Sequence, residues 1–218
     1  MSRPTQMAPW LASSAAPRVA PVVRGRALER WGVELDDVPG LTHLEILRGV
    51  TAGPIRSIYL VGENPALSEA DANHAREAME KVDFLVVQDI FLTETAQKAD
   101  VVLPSALWVE REGFFGNSER RTQHNEQIIP TPGNTMCNTW QLIEVARRLG
   151  YEKQFPWSRE PYIEDIWNEY IRFHDSPKHR MAPYKELTAR SGIQWPFVDG
   201  LETKWRYNHK YDPAAKGN

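Results

Sequence analysis

Three short stretches set groups capable of chemistry directly after apolar, β-branched runs: residues 62–68, 88–93 and 104–117. The first offers Glu63 and Asn64, the second Gln88 and Asp89. A carboxylate just beyond a strand can accept hydrogen bonds from a ribose hydroxyl pair or from the N–H edge of guanine. Each stretch also has a plainer use, Glu63 and Asn64 in a turn and Asp89 as the cap of the turn that follows. Spacing alone does not separate these uses. The third stretch and its continuation mix Trp108, Glu110, Arg111, Glu112, Gly113, Gly116, Asn117, Glu119, Arg120 and Arg121. Arginine pairs bidentately with phosphate and glycine lets backbone approach it, so this mixture suits a phosphate-bearing ligand. The alternative is a solvated loop laced with its own ion pairs. The phosphate-loop patterns GxGxxG and GxxxxGK[ST] are absent.

Other chemistry is thin. The one cysteine, Cys137, rules out a disulfide framework and any zinc or iron–sulfur site held by several cysteines of this chain. It has no histidine near it in sequence and reads as a small packed residue. Six histidines are scattered, and His174 and His179 lie five apart, which misses a common helical face. No Ser-His-Asp order or paired-carboxylate spacing stands out, so no catalytic residue and no metal ligand is assigned. A net charge of −3 with 41% hydrophobic and 25% charged residues is ordinary globular composition, which argues against disorder and a general nucleic-acid partner. No apolar run approaches the roughly 20 residues of a membrane helix, so no membrane span is expected.

The elements that must position these loops follow from periodicity. Residues 1–26, rich in Ala, Pro, Ser and Arg with no acidic residue before Glu29, read as an irregular leader rather than a secretory signal. Thr42 and Glu45 form a capping-box pattern that opens a short helix ended near Gly49. Residues 55–61 and 83–87 read as buried strands, the second stopping at Gln88 and Asp89, and 101–103 as a third strand. Ser68 is the expected cap of a helix running to Lys81, and a short helix is expected at 93–99. Alternation at this spacing means βαβ units, a parallel sheet and right-handed crossovers. Beyond it, 121–129 reads as an edge strand. Asn138 is the expected cap of an amphipathic helix with Leu142, Val145, Ala146 and Leu149 inward and Gly150 as its stop. Pro161 begins another helix, and Asp199-Gly200 signals a hairpin between 193–198 and 201–207. The expected class is α/β: a Rossmann-like parallel sheet with flanking helices over 27–150, then a helical and β-hairpin extension over 151–218.

The same loops carry a resemblance. The run from Gly62 to Gln123, with GENP, VVQDIFLTETA and ADVVLP, resembles the molybdopterin-guanine-dinucleotide oxidoreductases, the large catalytic subunits of the dimethyl sulfoxide reductase superfamily. These three motifs look like formate dehydrogenase alpha subunits and nitrate reductases alike. WVEREGFFGNSERRTQ and SGIQWPFVDGLETKWRY lean toward the periplasmic type of nitrate reductase, since formate dehydrogenases more often have threonine at the place of Gly116 and lack the Trp-rich hairpin. The resemblance covers about residues 27–213.

It implies that this region is the second of two Rossmann-like domains that hold paired pterin cofactors, and that the parent subunit reduces nitrate to nitrite at molybdenum. Formate oxidation is the alternative, and a non-catalytic nucleotide-binding module the alternative from another class. Glu63 and Asn64 would lie at one cofactor-contact loop and Gln88 and Asp89 at the next. Arg111 falls where the nitrate reductase pattern has a cofactor-binding lysine, keeping the charge but changing the geometry. Asn138 falls where that pattern often has aspartate. The [4Fe–4S] cluster and the Cys or selenocysteine molybdenum ligand of the family have no counterpart motif here. The expectation is therefore an interior fragment that holds part of a molybdopterin guanine dinucleotide site. Its partners would be the remainder of the catalytic subunit and an electron-donor subunit or cytochrome. The compartment would be periplasmic on the nitrate reading and cytoplasmic otherwise.

Overall fold

The computed structural model describes residues 21–36, 40–157, 162–174 and 179–203. Two compact units divide between Ser105 and Ala106, whereas the order of expected elements puts a division near residue 150. Helix α1, Pro21–Trp31, occupies the end of the stretch read as an irregular leader; residues 1–20 lie outside the described residues.

The first unit is a three-stranded parallel sheet in the order β1 (Ser57–Val61), β2 (Phe84–Asp89), β3 (Val101–Pro104). Val61 pairs with Gln88 and Asp89 with Pro104, so the three carboxyl ends fall on one edge. Helices α2 (His43–Ala52) and α4 (Ala72–Lys81) supply Leu47, Val50, Ala75, Ala78 and Met79 to a core with Leu85 and Val87 of β2. Period-2 alternation puts Leu85 and Val87 into that core, at 1% and 0% exposure. Exposure concentrates at Phe84, which opens β2 at 47%, and on β3, where Val101 and Val102 are each 38% exposed, whereas Gln88 on the face of β2 opposite Leu85 and Val87 is fully buried.

Local chemistry explains the ends. Thr42 accepts from the Glu45 N–H while the Glu45 carboxylate accepts from the Thr42 N–H, a closed capping box at α2. Thr42→Ala removes the cap and costs about 1 kcal/mol, read as a shift in the urea midpoint at unchanged slope. The helix expected from Ser68 is broken. Pro65–Ser68 forms a separate short turn, α3, and Asp71 caps α4 by accepting from the His74 N–H at 3.0 Å. The helix expected at 93–99 is reduced to a 3₁₀ turn, Ala96–Lys98.

In the second unit the stretch 104–117, read as a loop, contains a 3₁₀ turn at Trp108–Glu110 and strand β4 (Gly113–Gly116), paired antiparallel with β5 (Arg121–Asn125). β5 is not an edge. It is central between β4 and β6 (Ile193–Gln194), because Thr122 finds its second partner in Ile193 far along the chain. The expected solvated ion pairs do occur, with Arg121 Nε 2.8 Å from Glu119 Oε1. β7 (Phe197–Val198) and β8 (Leu201–Glu202) form the hairpin signalled by Asp199-Gly200, both in the left-handed region at φ 52° and 76°. The expected continuation through 204–207 lies outside the described residues.

Helix α5 (Asn138–Arg148) is capped by Cys137, whose Sγ accepts from the Trp140 N–H; Asn138 is its first helical residue, not the cap. The buried residues are Trp140, Gln141 and Ile143, whereas Leu149, expected inward, is 69% exposed. Trp140 rotates the stripe because its ring packs on Tyr162 of α6 (Tyr162–Ile171), centroids 5.5 Å apart. α7 (Tyr184–Thr188) buries Leu187 beside Trp167 and Phe197.

Candidate functional site

In the first unit the carboxyl edge gathers Glu63, Asn64, Gln88 and Asp89. Gly62, at φ 66°, turns the chain out of β1 while its N–H still donates to the Gln88 carbonyl at 2.8 Å. Glu63, next in line, is exposed. Asn64 instead faces protein: its Oδ1 accepts from the Thr95 hydroxyl at 2.7 Å and the Thr95 N–H at 3.1 Å, and its Nδ2 donates to Glu94 at 2.7 Å. That hydrogen bond from the Asn64 amide, more than any other cause, holds the Glu94 carboxyl below its ordinary range. Gln88 is fully buried and its Oε1 accepts from the Tyr59 hydroxyl at 2.6 Å.

Of the two uses open to Asp89 in sequence, the structure shows the cap of the turn. Its Oδ1 accepts from the Phe91 N–H at 3.0 Å, capping the turn, and leaves Oδ2 for another donor. Its carbonyl accepts from the N–H of Ser105 at 2.9 Å. Ser105, 5% exposed at the end of β3, has a buried hydroxyl with no partner among the described residues. Sequence inspection passes over it because a serine after a strand carries no distinguishing pattern. Such orphaned hydroxyls in native structures call for an explanation, and a bound group is one.

The donor set has a definite character. Glu63, Asp89 and Glu94 put three carboxylates at this edge, and no Lys or Arg lies in residues 62–69, 88–95 or 104–105. Such a set can accept hydrogen bonds from a ribose diol or a guanine edge.

The second unit carries Arg111 and Asn138. The Arg111 guanidinium lies 5.9 Å from the Phe115 ring centroid and folds over Gly113, where a Cβ would meet Nη1 at 2.8 Å. Its buried Nε has no acceptor among the described residues. Asn138 opens α5 with its side chain partly buried. In this unit Trp108, Phe115, Gln123, His124 and Asn125 line an open cavity of about 370 Å³. Below it, Glu112 Oε1 accepts from the Tyr184 hydroxyl at 2.5 Å and sits 2.8 Å from His124 Nε2. Burial, and then the Glu112 carboxylate, raise the Tyr184 phenol above its ordinary 10.0. The unfolded chain would ionise first, so the stabilising contribution is whole below pH 10 and is lost as pH rises toward the folded value. Tyr184→Phe flattens this loss, measured as the urea-midpoint difference between pH 9 and pH 11.

Among the described residues no group of three His, Cys, Asp or Glu is placed to hold a metal ion, and no helix is long and apolar enough to cross a membrane. Cys137 Sγ lies 2.7 Å from the Tyr162 hydroxyl and is occupied in capping α5.

Residues 7–148 match the family model of the molybdopterin oxidoreductases. The chain is 40% identical over 183 residues to the F420-dependent formate dehydrogenase subunit alpha of Methanocaldococcus jannaschii, covering 84% of this chain and 26% of that protein. A putative formate dehydrogenase of Bacillus subtilis is 38% identical, with 87% and 19% covered. A nitrate reductase of Symbiobacterium thermophilum is 38% identical, with 84% and 25% covered. The chain thus spans about a quarter or less of the length of these relatives. Formate dehydrogenases stand level with or above the nitrate reductase, so the lean toward nitrate read from the later motifs gains no separate support. The fold is shared with acetylene hydratase from Pelobacter acetylenicus, at TM-score 0.58 and 21% identity over 79% of this chain and 24% of that one.

Proposed function

Because the chain belongs to the molybdopterin oxidoreductase family, we propose that it forms part of the cofactor cradle of a molybdenum-dependent oxidoreductase, holding the guanosine end of molybdopterin guanine dinucleotide. The observation that carries this reading is the acidic carboxyl edge of the parallel sheet, where Asp89 uses Oδ1 to close the turn and has no hydrogen-bond partner at Oδ2 among the described residues. Glu63 sits exposed at the same edge, whereas Gln88 and Asn64 act through the backbone and side chains they brace. Arg111 and Asn138 belong to the second unit, where each is by itself a candidate cofactor contact, a cation suited to phosphate and a polar side chain at the start of α5. When bound, the molybdenum cofactor supplies the two-electron redox chemistry; the residues of this chain bind and orient it. A [4Fe–4S] cluster would belong to other parts of the subunit, as would the contacts to an electron donor.

For the parent subunit, formate oxidation to carbon dioxide is the first reading, on the formate dehydrogenase relatives at 38–40% identity. Nitrate reduction to nitrite is the second, on the relative at 38%. Calorimetric titration of the 218-residue chain with GDP, ADP and GTP tests the cradle: guanine nucleotides should bind and ADP should not, and equal or absent binding overturns it. In a complete subunit, formate-driven dye reduction against nitrate-driven dye oxidation separates the substrates.

A further inference from the structure

We propose that Thr95 is a positioning residue for the nucleotide site, clasping the loop after β1 to the loop after β2 and thereby setting where Asp89 sits. The proposal rests on the cradle reading for its consequence, but the clasp itself stands on geometry.

Thr95 is completely buried although it lies on a connecting segment. Its hydroxyl donates to Asn64 Oδ1 at 2.7 Å and accepts from the Ala66 N–H at 3.1 Å, while its own N–H donates to the same Oδ1 at 3.1 Å. One side chain therefore binds the far loop twice, and one amide oxygen has both lone pairs filled from Thr95. Glu94 takes one Asn64 Nδ2 hydrogen at 2.7 Å, which fixes the amide's orientation. The Asn64 carbonyl is also engaged, accepting from Leu67, Ser68 N–H and the Ser68 hydroxyl. At most one hydrogen of the Asn64 side chain is left, so its part is to hold rather than to read a ligand. The segment from Asp89 to Thr95 is anchored at one end by β2 and at the other by this clasp, with Ile90, Phe91 and Leu92 exposed between at 42%, 69% and 66%. Besides the clasp, this segment is held through the Leu92 carbonyl, which accepts from the exposed Gln97 Nε2 at 3.3 Å.

The test uses amide hydrogen exchange and GDP titration on the whole chain. Thr95→Val keeps shape and removes the hydroxyl; Thr95→Ser keeps the hydroxyl. Glu94→Ala, at an exposed position, loosens the clasp without endangering the fold. The clasp predicts that Thr95→Val speeds exchange at Ala66 and Phe91 at least tenfold, that Glu94→Ala speeds it several-fold, and that Thr95→Ser leaves it near wild type. GDP affinity should fall about tenfold in Thr95→Val and be restored in Thr95→Ser. A residue with a merely structural role would lower the melting temperature while leaving Phe91 exchange and the affinity of the folded protein unchanged, and that outcome overturns the proposal. So does unchanged exchange in both Thr95→Val and Glu94→Ala. If the wild-type chain binds no GDP, the cradle reading fails, and the exchange pattern still decides for or against the clasp.

Discussion

Trp167→Ala is expected to remove about 3–5 kcal/mol from the second unit, the cost of truncating a packed tryptophan. Three interactions meet on this one side chain. Its ring stacks on Phe114 with centroids 4.2 Å apart and planes 29° from parallel, its Nε1–H donates to the buried Ala182 carbonyl at 3.0 Å, and its apolar body closes the cluster of Leu187, Ile193 and Phe197. With a urea slope of about 2 kcal/mol per molar, the loss moves the midpoint by about 2 M. Since a domain is typically stable by about 5–15 kcal/mol, the variant is left close to unfolding. Trp167→Phe separates the contributions. It keeps a ring against Phe114 but strands the Ala182 carbonyl, and should cost about 1–3 kcal/mol. A double-mutant cycle with Phe114→Leu should return a coupling of about 0.5–1.5 kcal/mol for the stack. A cost for Trp167→Ala below 1 kcal/mol would show that the cluster does not hold this unit together.

Trp167 also marks where sequence reasoning stops. Its helix was readable, since Ile163, Ile166 and Trp167 recur at helical spacing, and so was the parallel sheet, whose strands are local β-branched runs bounded by turns. What Trp167 packs on was not. Phe114 lies in a stretch of glycine, charge and aromatics that reads as an irregular loop, and becomes strand β4 only because β5 pairs with it on one side and with Ile193 and Gln194 on the other. The stripe of α5 failed for a related reason: periodicity favours aliphatic Leu149, while the partner that decides burial, Tyr162, belongs to another helix. At the candidate site Glu63 and Asp89 are legible as candidates because a carboxylate after a strand has a recognisable place. Thr95 and Ser105 were missed because a small hydroxyl shows its importance only through burial and through what it touches.

Asp89→Asn is expected to weaken GDP binding about 10- to 100-fold while leaving the fold intact, the loss of about 1.4–2.7 kcal/mol that accompanies removal of a charged acceptor. Sequence left two uses for this residue in competition, and the geometry lets both operate at once. Oδ1 closes the turn by accepting from the Phe91 N–H at 3.0 Å, while Oδ2 is left for a ligand. Asparagine forms the same turn well, so the substitution should preserve Oδ1 and the melting temperature. At the other oxygen it puts an amide, which donates where guanine N–H groups or ribose hydroxyls need an acceptor. Asp89→Ala would confound the two by loosening the turn as well. Comparing GDP with IDP, which lacks the 2-amino group, then identifies what the carboxylate reads. If it accepts from the base, wild type prefers GDP and Asp89→Asn loses the preference. If it accepts from the ribose, affinity drops equally for both. An Asp89→Asn chain that binds GDP as tightly as wild type would leave the residue only its turn, and the ligand-reading role would pass to Glu63 and Ser105.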